Sequence, residues 1–222
     1  MARLSASVAV QALVDRAGLG EPAAVEGGTA HVVRGDGLVR RVVVQTGKHD
    51  RWRLHWYVEI ADDTFDPMLR PRWGGLRVEI VPRSAGAHHE GYRWPSSLER
   101  LDPLLVSEFR ESVPDALGFC RDPRDLAGLL LDEGIVVRGS CRTLSPSGGA
   151  RALVEALIVA RHLGDGDLER RVLATLERRG AEMSSTGNTY RDEVGFFAEA
   201  FRRLVPVPLG DIARKGPLVL RR

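Results

Sequence analysis

Apolar residues near the start of the chain recur at the spacing of a helix face. The positions that line this face are Val10, Leu13, Val14 and Ala17. Either Ser5 or Ser7 can cap the first turn, and Gly18 and Gly20 interrupt the pattern. The pattern therefore predicts a first helix that ends at Gly18.

Strand-like patterns follow this helix. Residues 29–45 predict two strands joined across Gly35-Asp36-Gly37, because glycine and aspartate tolerate the positive φ of a tight turn. Five apolar side chains then alternate with polar ones and are predicted to point to the core: Trp52, Leu54, Trp56, Val58 and Ile60. The residues predicted to face water are Arg53, His55, Tyr57 and Glu59. A fourth strand is predicted over residues 74–82, ending at a proline that cannot donate to the ladder.

Helix signals return in the second half of the chain. Asp102-Pro103 and Asp122-Pro123 each place a capping aspartate before a proline, which suits the first helical position. Ser96 and Glu99 match the pattern of a capping box. Gly134 is expected to close the helix that begins after Asp122, and residues 135–137 form either a further strand or buried coil.

An αα-hairpin and a last helix are predicted near the C-terminus. The apolar faces of the hairpin comprise Leu153, Val154, Leu157 and Ile158 in one helix and Leu168, Val172 and Leu176 in the other. Gly164 ends the first helix, Asp167 caps the second, and Gly180 closes it. The last helix has an apolar stripe of Tyr190, Val194, Phe197, Phe201 and Leu204. Thr189 and Asp192 supply its capping pattern.

The order of these elements determines the expected fold class. A helix comes first, antiparallel strands follow and helices fill the rest, which is the segregation of an α+β fold. We expect an N-terminal helix, an antiparallel sheet of about four strands and a mainly helical C-terminal half. The corresponding domains are residues 1–118 and residues 119–222, the latter either separate or packed on the sheet as one unit.

Composition places the chain among ordinary globular proteins. Of its 222 residues, 43% are hydrophobic and 28% are charged, so the chain can fold around its own apolar core. No apolar run approaches the ~20 residues of a membrane span. The start lacks the apolar centre of a signal peptide. Cys120 and Cys141 form no Cys-x-x-Cys pair and are expected as reduced, partly buried thiols. A soluble, cytoplasmic protein is the resulting expectation.

A basic hairpin is the first candidate site. Between residues 31 and 55 the basic residues are Arg34, Arg40, Arg41, Lys48, Arg51 and Arg53, against only Asp36 and Asp50. Basic strands with aromatic residues can bind single-stranded nucleic acid. The alternation, however, places the tryptophans opposite the arginines, and only His55 and Tyr57 join the basic face. A core face with a solvated basic face is therefore favoured over a surface for an anionic partner, and the net charge of +2 argues against nucleic acid.

Metal chemistry is the second candidate. Asp62, Asp63 and Asp66 follow a predicted strand, and Glu79 lies on the next, so these carboxylates could hold Mg²⁺ for phosphodiester cleavage. The lysine that a nuclease of this type places just after the second acid is absent after Glu79. A turn in which aspartates bond local backbone is the favoured alternative. His88 and His89 could ligate a metal, but no second histidine pair completes a site, and a flexible loop is favoured.

Other catalytic patterns are not found in the sequence. The glycine-rich segment at residues 145–153 lacks the lysine and spacing of a P-loop. No Gly-x-Ser-x-Gly elbow occurs, and no histidine is placed near Cys120. No cofactor is expected.

The N-terminal half resembles a bacterial family classed as a domain of unknown function. The resemblance is carried by a helix ending at Gly18, the strand "GLVRRVVVQ" ending at Gln45, the aromatic-rich strand from Trp52 to Ile60, and "LRVEIVPR". It implies a bacterial accessory protein of the immunity type and brings no catalytic residues.

These observations favour a binding protein over an enzyme. We expect a non-enzymatic protein that recognises another protein through a sheet face or a helical surface, with Arg40, Arg53, His55 and Tyr57 as exposed contact residues. The alternative is a metal-dependent hydrolase that uses Asp62, Asp63, Asp66 and Glu79, with His88 and His89 as further ligands. Nucleic-acid binding by the basic hairpin is the least favoured hypothesis.

Overall fold

A computed structural model describes residues 3–19, 22, 24–33, 35–46, 52–84, 91–144, 149–184 and 190–210. In chain order its elements are α1 (Ala6–Ala17), β1 (Ala24–Glu26), β2 (Thr29–Val33), β3 (Leu38–Thr46), β4 (Arg53–Asp62), α2 (Asp66–Trp73), β5 (Arg77–Pro82), β6 (Tyr92–Arg93), a 3₁₀-helix (Leu98–Arg100), α3 (Pro103–Leu117), α4 (Pro123–Leu131), β7 (Val137–Arg138), β8 (Cys141–Thr143), α5 (Ala150–His162), α6 (Gly166–Ser184) and α7 (Tyr190–Arg202). The fold is α+β with a helix first, as predicted. Across these ranges, no helix combines the length and apolar character that a bilayer crossing requires.

The chain divides into two compact units. The sheet unit comprises Met1–Ala61, Val78–Arg121 and Val136–Leu144, and the helical unit comprises Asp62–Arg77, Asp122–Ile135 and Ser145–Arg222. Each unit is built from three separate stretches of chain. A single boundary between residues 118 and 119 does not describe this arrangement.

The sheet has more strands than the four that the sequence predicts. Its order is β1-β2-β3-β4-β5-β8-β7, with β6 paired to β4 beside this path. The four predicted strands correspond to β2, β3, β4 and β5, and the additional strands contain two or three residues each. Strands this short are too brief to show a two-residue period. The predicted turn between β2 and β3 is confirmed, since Gly35 and Gly37 have φ of 68° and 78°.

Two helices build the core of the sheet unit. α1 packs against β2, β3 and α3. Its predicted caps are confirmed: the Val8 amide donates to Ser5 Oγ at 3.3 Å, and Gly18 adopts the left-handed conformation with φ 68°. The cap of α3 is also confirmed, because the Leu104 amide donates to Asp102 Oδ1 at 2.9 Å.

Burial along β4 follows the predicted alternation from Arg53 to Val58, but not at Trp52 before the strand or at Glu59 within it. Leu54, Trp56, Val58 and Ile60 are all buried. Trp56 contacts Phe109 of α3, with ring centroids 5.0 Å apart. Trp52, by contrast, is 58% exposed, so its predicted burial is wrong. Trp52 precedes the first residue of β4. At the ordinary rise of a strand it lies roughly 13 Å along the chain from Trp56, so the part of α3 that covers Trp56 does not cover Trp52.

The helical unit is organised around α5, which packs against α4, α6 and α7. Asp122 caps α4 as predicted, accepting from the Asp125 amide at 2.8 Å. Three boundaries differ from the prediction: α4 ends at Leu131 before Gly134, Asp165 caps α6 in place of Asp167, and α6 continues through Gly180 to Ser184. The cap predicted at Thr189 lies outside the described residues.

Three smaller features also differ from the predictions or extend them. The Ser96–Glu99 capping box does not form, since the chain there makes only a 3₁₀-turn in which Ser97 Oγ contacts Glu99. The apolar run at residues 135–137 leads into the edge strand β7, with Ile135 and Val137 both exposed. Helix α2 was not predicted, because its two prolines mask the helical pattern.

Candidate functional site

Arg40 is a structural residue of the sheet unit. It is 1% exposed, so the prediction that it is an exposed contact residue is wrong. Its Nε donates to the Leu117 carbonyl at 2.7 Å and its Nη2 to the Cys120 carbonyl at 2.9 Å. Leu117 is the last residue of α3, where backbone acceptors lack helical partners and attract a cation, and Cys120 lies in the loop that follows. The Asp36 carboxylate accepts two further hydrogen bonds from the Arg40 guanidinium, each of 2.7 Å. Hydrogen bonding from Arg40 lowers the pKa of Asp36.

The opposite face of β3 and β4 is not uniformly solvated either. Arg41 Nη1 lies 2.7 Å from Glu59 Oε1, and both side chains are buried. A buried ion pair of this kind is sensitive to loss of one partner, because the other buried charge then loses its close counter-charge. The predicted solvated basic face is therefore wrong at Arg41 and Glu59.

The other predicted contact residues are half-buried on β4. Arg53, His55 and Tyr57 alternate with the buried apolar residues and lie on the face opposite to them. The imidazole of His55 lies against Gly91, where an added Cβ would be 2.7 Å from His55 Cε1. A binding role for these three residues stays a prediction.

A pocket in the sheet unit brings exposed tryptophan and arginine side chains together. This cavity, the Trp52 pocket, has a volume of about 410 Å³, and its lining includes Arg3, Trp52, Arg93, Trp94, Glu99 and Arg100. Its size falls in the range of ordinary ligand pockets. This pocket was not predicted, because its residues come from three separate segments of the chain.

Trp94 is held in place by hydrogen bonds, and Trp52 contacts an arginine. The Trp94 amide donates to the Trp52 carbonyl at 2.7 Å, and Trp94 Nε1 donates to the Leu4 carbonyl at 2.9 Å. Arg3 Cζ lies 4.0 Å from the centroid of the Trp52 ring, within the distance of a cation–π contact. The backbone of Trp52 is thus tied to Trp94, and Arg3 lies over its exposed indole.

The charge of the pocket is mixed but mainly positive. Arg3, Arg93 and Arg100 oppose Glu99 and Asp102, and Asp102 already caps α3. Among the residues that the structure describes, the side chains of Arg93 and Arg100 make no hydrogen bond or ion pair.

The strand pairing next to the pocket adds a further positive charge. Arg93 lies directly opposite Arg53 in the β4–β6 pair. The pocket and the adjoining strand therefore present a local positive potential that suits an anionic group.

The predicted carboxylate cluster acts mainly on local backbone. Asp62 Oδ1 accepts from the Thr64 and Phe65 amides at 3.0 Å each, which is the turn geometry favoured over a metal site. Asp62 is nevertheless buried, and this burial raises its pKa. Asp63 is exposed, and Asp66 is buried 3.5 Å from Arg70 Nη1.

The hydrolase alternative gains no support from the described residues. Glu79 is half-buried on β5. Within the described ranges, no group of three or more His, Cys, Asp or Glu side chains could hold a metal ion. His88 and His89 lie outside the described residues. Metal-dependent hydrolysis therefore stays an untested prediction.

The two cysteines are buried free thiols, as predicted. Cys141 Sγ donates to the Ser112 carbonyl at 3.2 Å. Burial raises the pKa of the Cys141 thiol, which keeps it protonated and unreactive at neutral pH.

A second aromatic cluster lies in the helical unit. Trp73 of α2 makes edge-to-face contacts with three phenylalanines of α7: Phe196, Phe197 and Phe201. Phe196 is 52% exposed and borders a groove of about 340 Å³. The sequence indicated the buried stripe of α7 but not the contribution of Trp73.

Comparison with known proteins adds no relative. The chain matches no protein-family model, no curated protein sequence and no solved structure.

Proposed function

We propose that the protein is a non-enzymatic binding protein that recognises another protein through the Trp52 pocket and the adjoining part of β4. The observation that carries this proposal is the exposed indole of Trp52 among arginines. Tryptophan and arginine are the residues most enriched in the energetic centres of protein interfaces.

The extent of the surface supports a macromolecular partner. Arg93 lines the pocket and is also in register with Arg53 of β4. His55 and Tyr57 continue the same face of β4 beyond Arg53. A partner that contacts both the pocket and this face must be larger than a ligand that fits the pocket alone.

Site-specific crosslinking tests this proposal. A photoreactive amino acid in place of Ser96, an exposed residue of the pocket lining, should capture a protein partner in the parent organism, and the partner should then be purified and titrated by calorimetry. We expect Trp52→Ala to weaken this affinity by at least about tenfold, the loss typical of an interface centre. Phe196→Ala, which removes an exposed aromatic from the helical unit, is the matched control and should leave the affinity unchanged. Equal affinity of the wild type and the Trp52→Ala variant would refute the proposal.

An immunity-type role is a narrower form of the same proposal. It rests on the resemblance of the N-terminal half to a bacterial family of unknown function and on a pocket that can act by complementarity alone. In this form the captured partner is a toxin, and co-expression should restore growth of cells that produce it. Growth restored equally by the Trp52→Ala variant would contradict this role for the pocket.

A further inference from the structure

We infer that the Trp52 pocket binds an acidic peptide segment of the partner, in which an apolar side chain packs on Trp52 beside a carboxylate held by arginines. This inference rests on the proposed function and specifies the chemistry of the partner. It is drawn from the positions of three arginines, one exposed indole and one acidic residue of the pocket.

The arginines supply the anion-binding part of the site. Arg93 and Arg100 are exposed and make no side-chain hydrogen bond or ion pair with the described residues. Arg53 lies opposite Arg93 in the β4–β6 pair, which places another arginine beside this part of the pocket. Arginine also matches a carboxylate geometrically, because two parallel N–H groups can donate to its two oxygens.

The stacked Arg3 contributes in a different way. Its guanidinium lies 4.0 Å from the centroid of the Trp52 ring. Stacking uses the flat face of a guanidinium and leaves its N–H groups directed outward in the plane. Arg3 can therefore donate to the same acidic segment while the uncovered part of Trp52 contacts an apolar side chain.

The acidic residues of the pocket favour a peptide over a nucleic acid. Glu99 lines the pocket, and its Oε2 accepts from the Ser97 hydroxyl at 2.9 Å. A continuous phosphate backbone would meet this carboxylate unfavourably, whereas a peptide offers backbone N–H groups to it. The net charge of +2 also lacks the broad basic excess on which non-specific nucleic-acid binding depends.

Peptide display tests the inference even while the partner is unidentified. A random peptide library is selected on the wild-type protein and counter-selected on the Trp52→Ala variant. We expect the enriched peptides to carry a carboxylate next to an apolar residue. One enriched peptide is then synthesised with a fluorescent label, together with a version in which its acidic residues are amides.

Binding of these two peptides is measured by fluorescence anisotropy. The acidic peptide should bind at least about tenfold more tightly than its amide version, as expected for a charge-assisted contact. Arg93→Glu should remove this preference, and Arg171→Glu, an exposed arginine of α6, should retain it. Unchanged thermal unfolding midpoints will show that the variants are folded.

Each contrary outcome has a distinct meaning. Peptides that require Trp52 but show no preference for acidic residues would overturn the inference and leave the proposed function intact. Failure to enrich any Trp52-dependent peptide would also overturn the inference, whereas the proposed function is overturned only if Trp52→Ala leaves the affinity for the purified partner unchanged. Binding of a single-stranded oligothymidylate more tightly than the acidic peptide would overturn the inference in favour of a nucleic-acid surface.

Discussion

Glu155 offers a quantitative test of the helical unit. It lies on α5, is 3% exposed, and accepts from Arg151 Nε at 2.8 Å. Burial raises the pKa of Glu155 to about 7, despite the opposing effect of Arg151. The folded protein therefore holds a proton on Glu155 at pH values where the unfolded chain has already released it.

The direction and size of the effect follow from this raised pKa. A group whose folded pKa exceeds its unfolded value favours the folded state fully below the unfolded pKa, and this contribution is lost as pH rises through the folded pKa. The window for Glu155 runs from the ordinary glutamate pKa of 4.5 to about 7. At 1.36 kcal/mol per pH unit, the loss across this window approaches roughly 3 kcal/mol.

Glu155→Gln removes the titration while keeping the shape of the side chain. We expect the free energy of unfolding of the variant, relative to the wild type, to increase by about 3 kcal/mol between pH 4.5 and pH 8. Urea unfolding followed by far-ultraviolet circular dichroism measures this difference at each pH. Glu177→Gln, an exposed position on α6, is the control and should show no such trend. A Glu155→Gln difference that stays constant with pH would refute the reasoning.

Three further predictions concern the sheet unit. Arg40→Met should lower the free energy of unfolding, measured by urea unfolding, by about 3 kcal/mol. The reason is that two buried carbonyls each lose a hydrogen-bond donor, which costs roughly 1–3 kcal/mol per carbonyl. A change near zero would contradict the structural role of Arg40. Arg41→Met should lower the free energy of unfolding by about 3–5 kcal/mol in the same assay. The double variant with Glu59→Met should recover most of this stability, because a buried ion pair destabilises the protein mainly when only one partner is removed. Additive losses of stability in the double variant would contradict this account. Cys141 should react with a thiol reagent only when urea unfolds the chain, and rapid labelling of the native protein would contradict its burial.

Local signals in the sequence predicted local structure well. Ser5, Gly18, Asp102 and Asp122 cap helices as predicted, because capping depends on residues within one helical turn. The alternation of β4 likewise predicted the burial of Trp56 and its apolar neighbours. These features do not depend on distant parts of the chain.

The errors arise where distant segments determine the environment. The sequence indicated a surface position for Arg40, but its partners are carbonyls 77 and 80 positions away in the sequence. The alternation assigned Trp52 to the core, yet the helix that covers Trp56 does not bury it. The Trp52 pocket could not be predicted for the same reason, since Arg3, Arg93 and Arg100 meet Trp52 only in the fold.

Fluorescence quenching tests the central claim, that an exposed tryptophan lies in a positively charged pocket. Iodide, an anion, should quench the tryptophan emission more strongly than caesium, a cation, because arginines surround Trp52. Trp52→Phe should remove most of the iodide-sensitive emission, since Trp56 and Trp94 are buried and Trp73 is half-buried. Iodide quenching that is the same in the wild type and the Trp52→Phe variant, or no stronger than caesium quenching, would contradict the account.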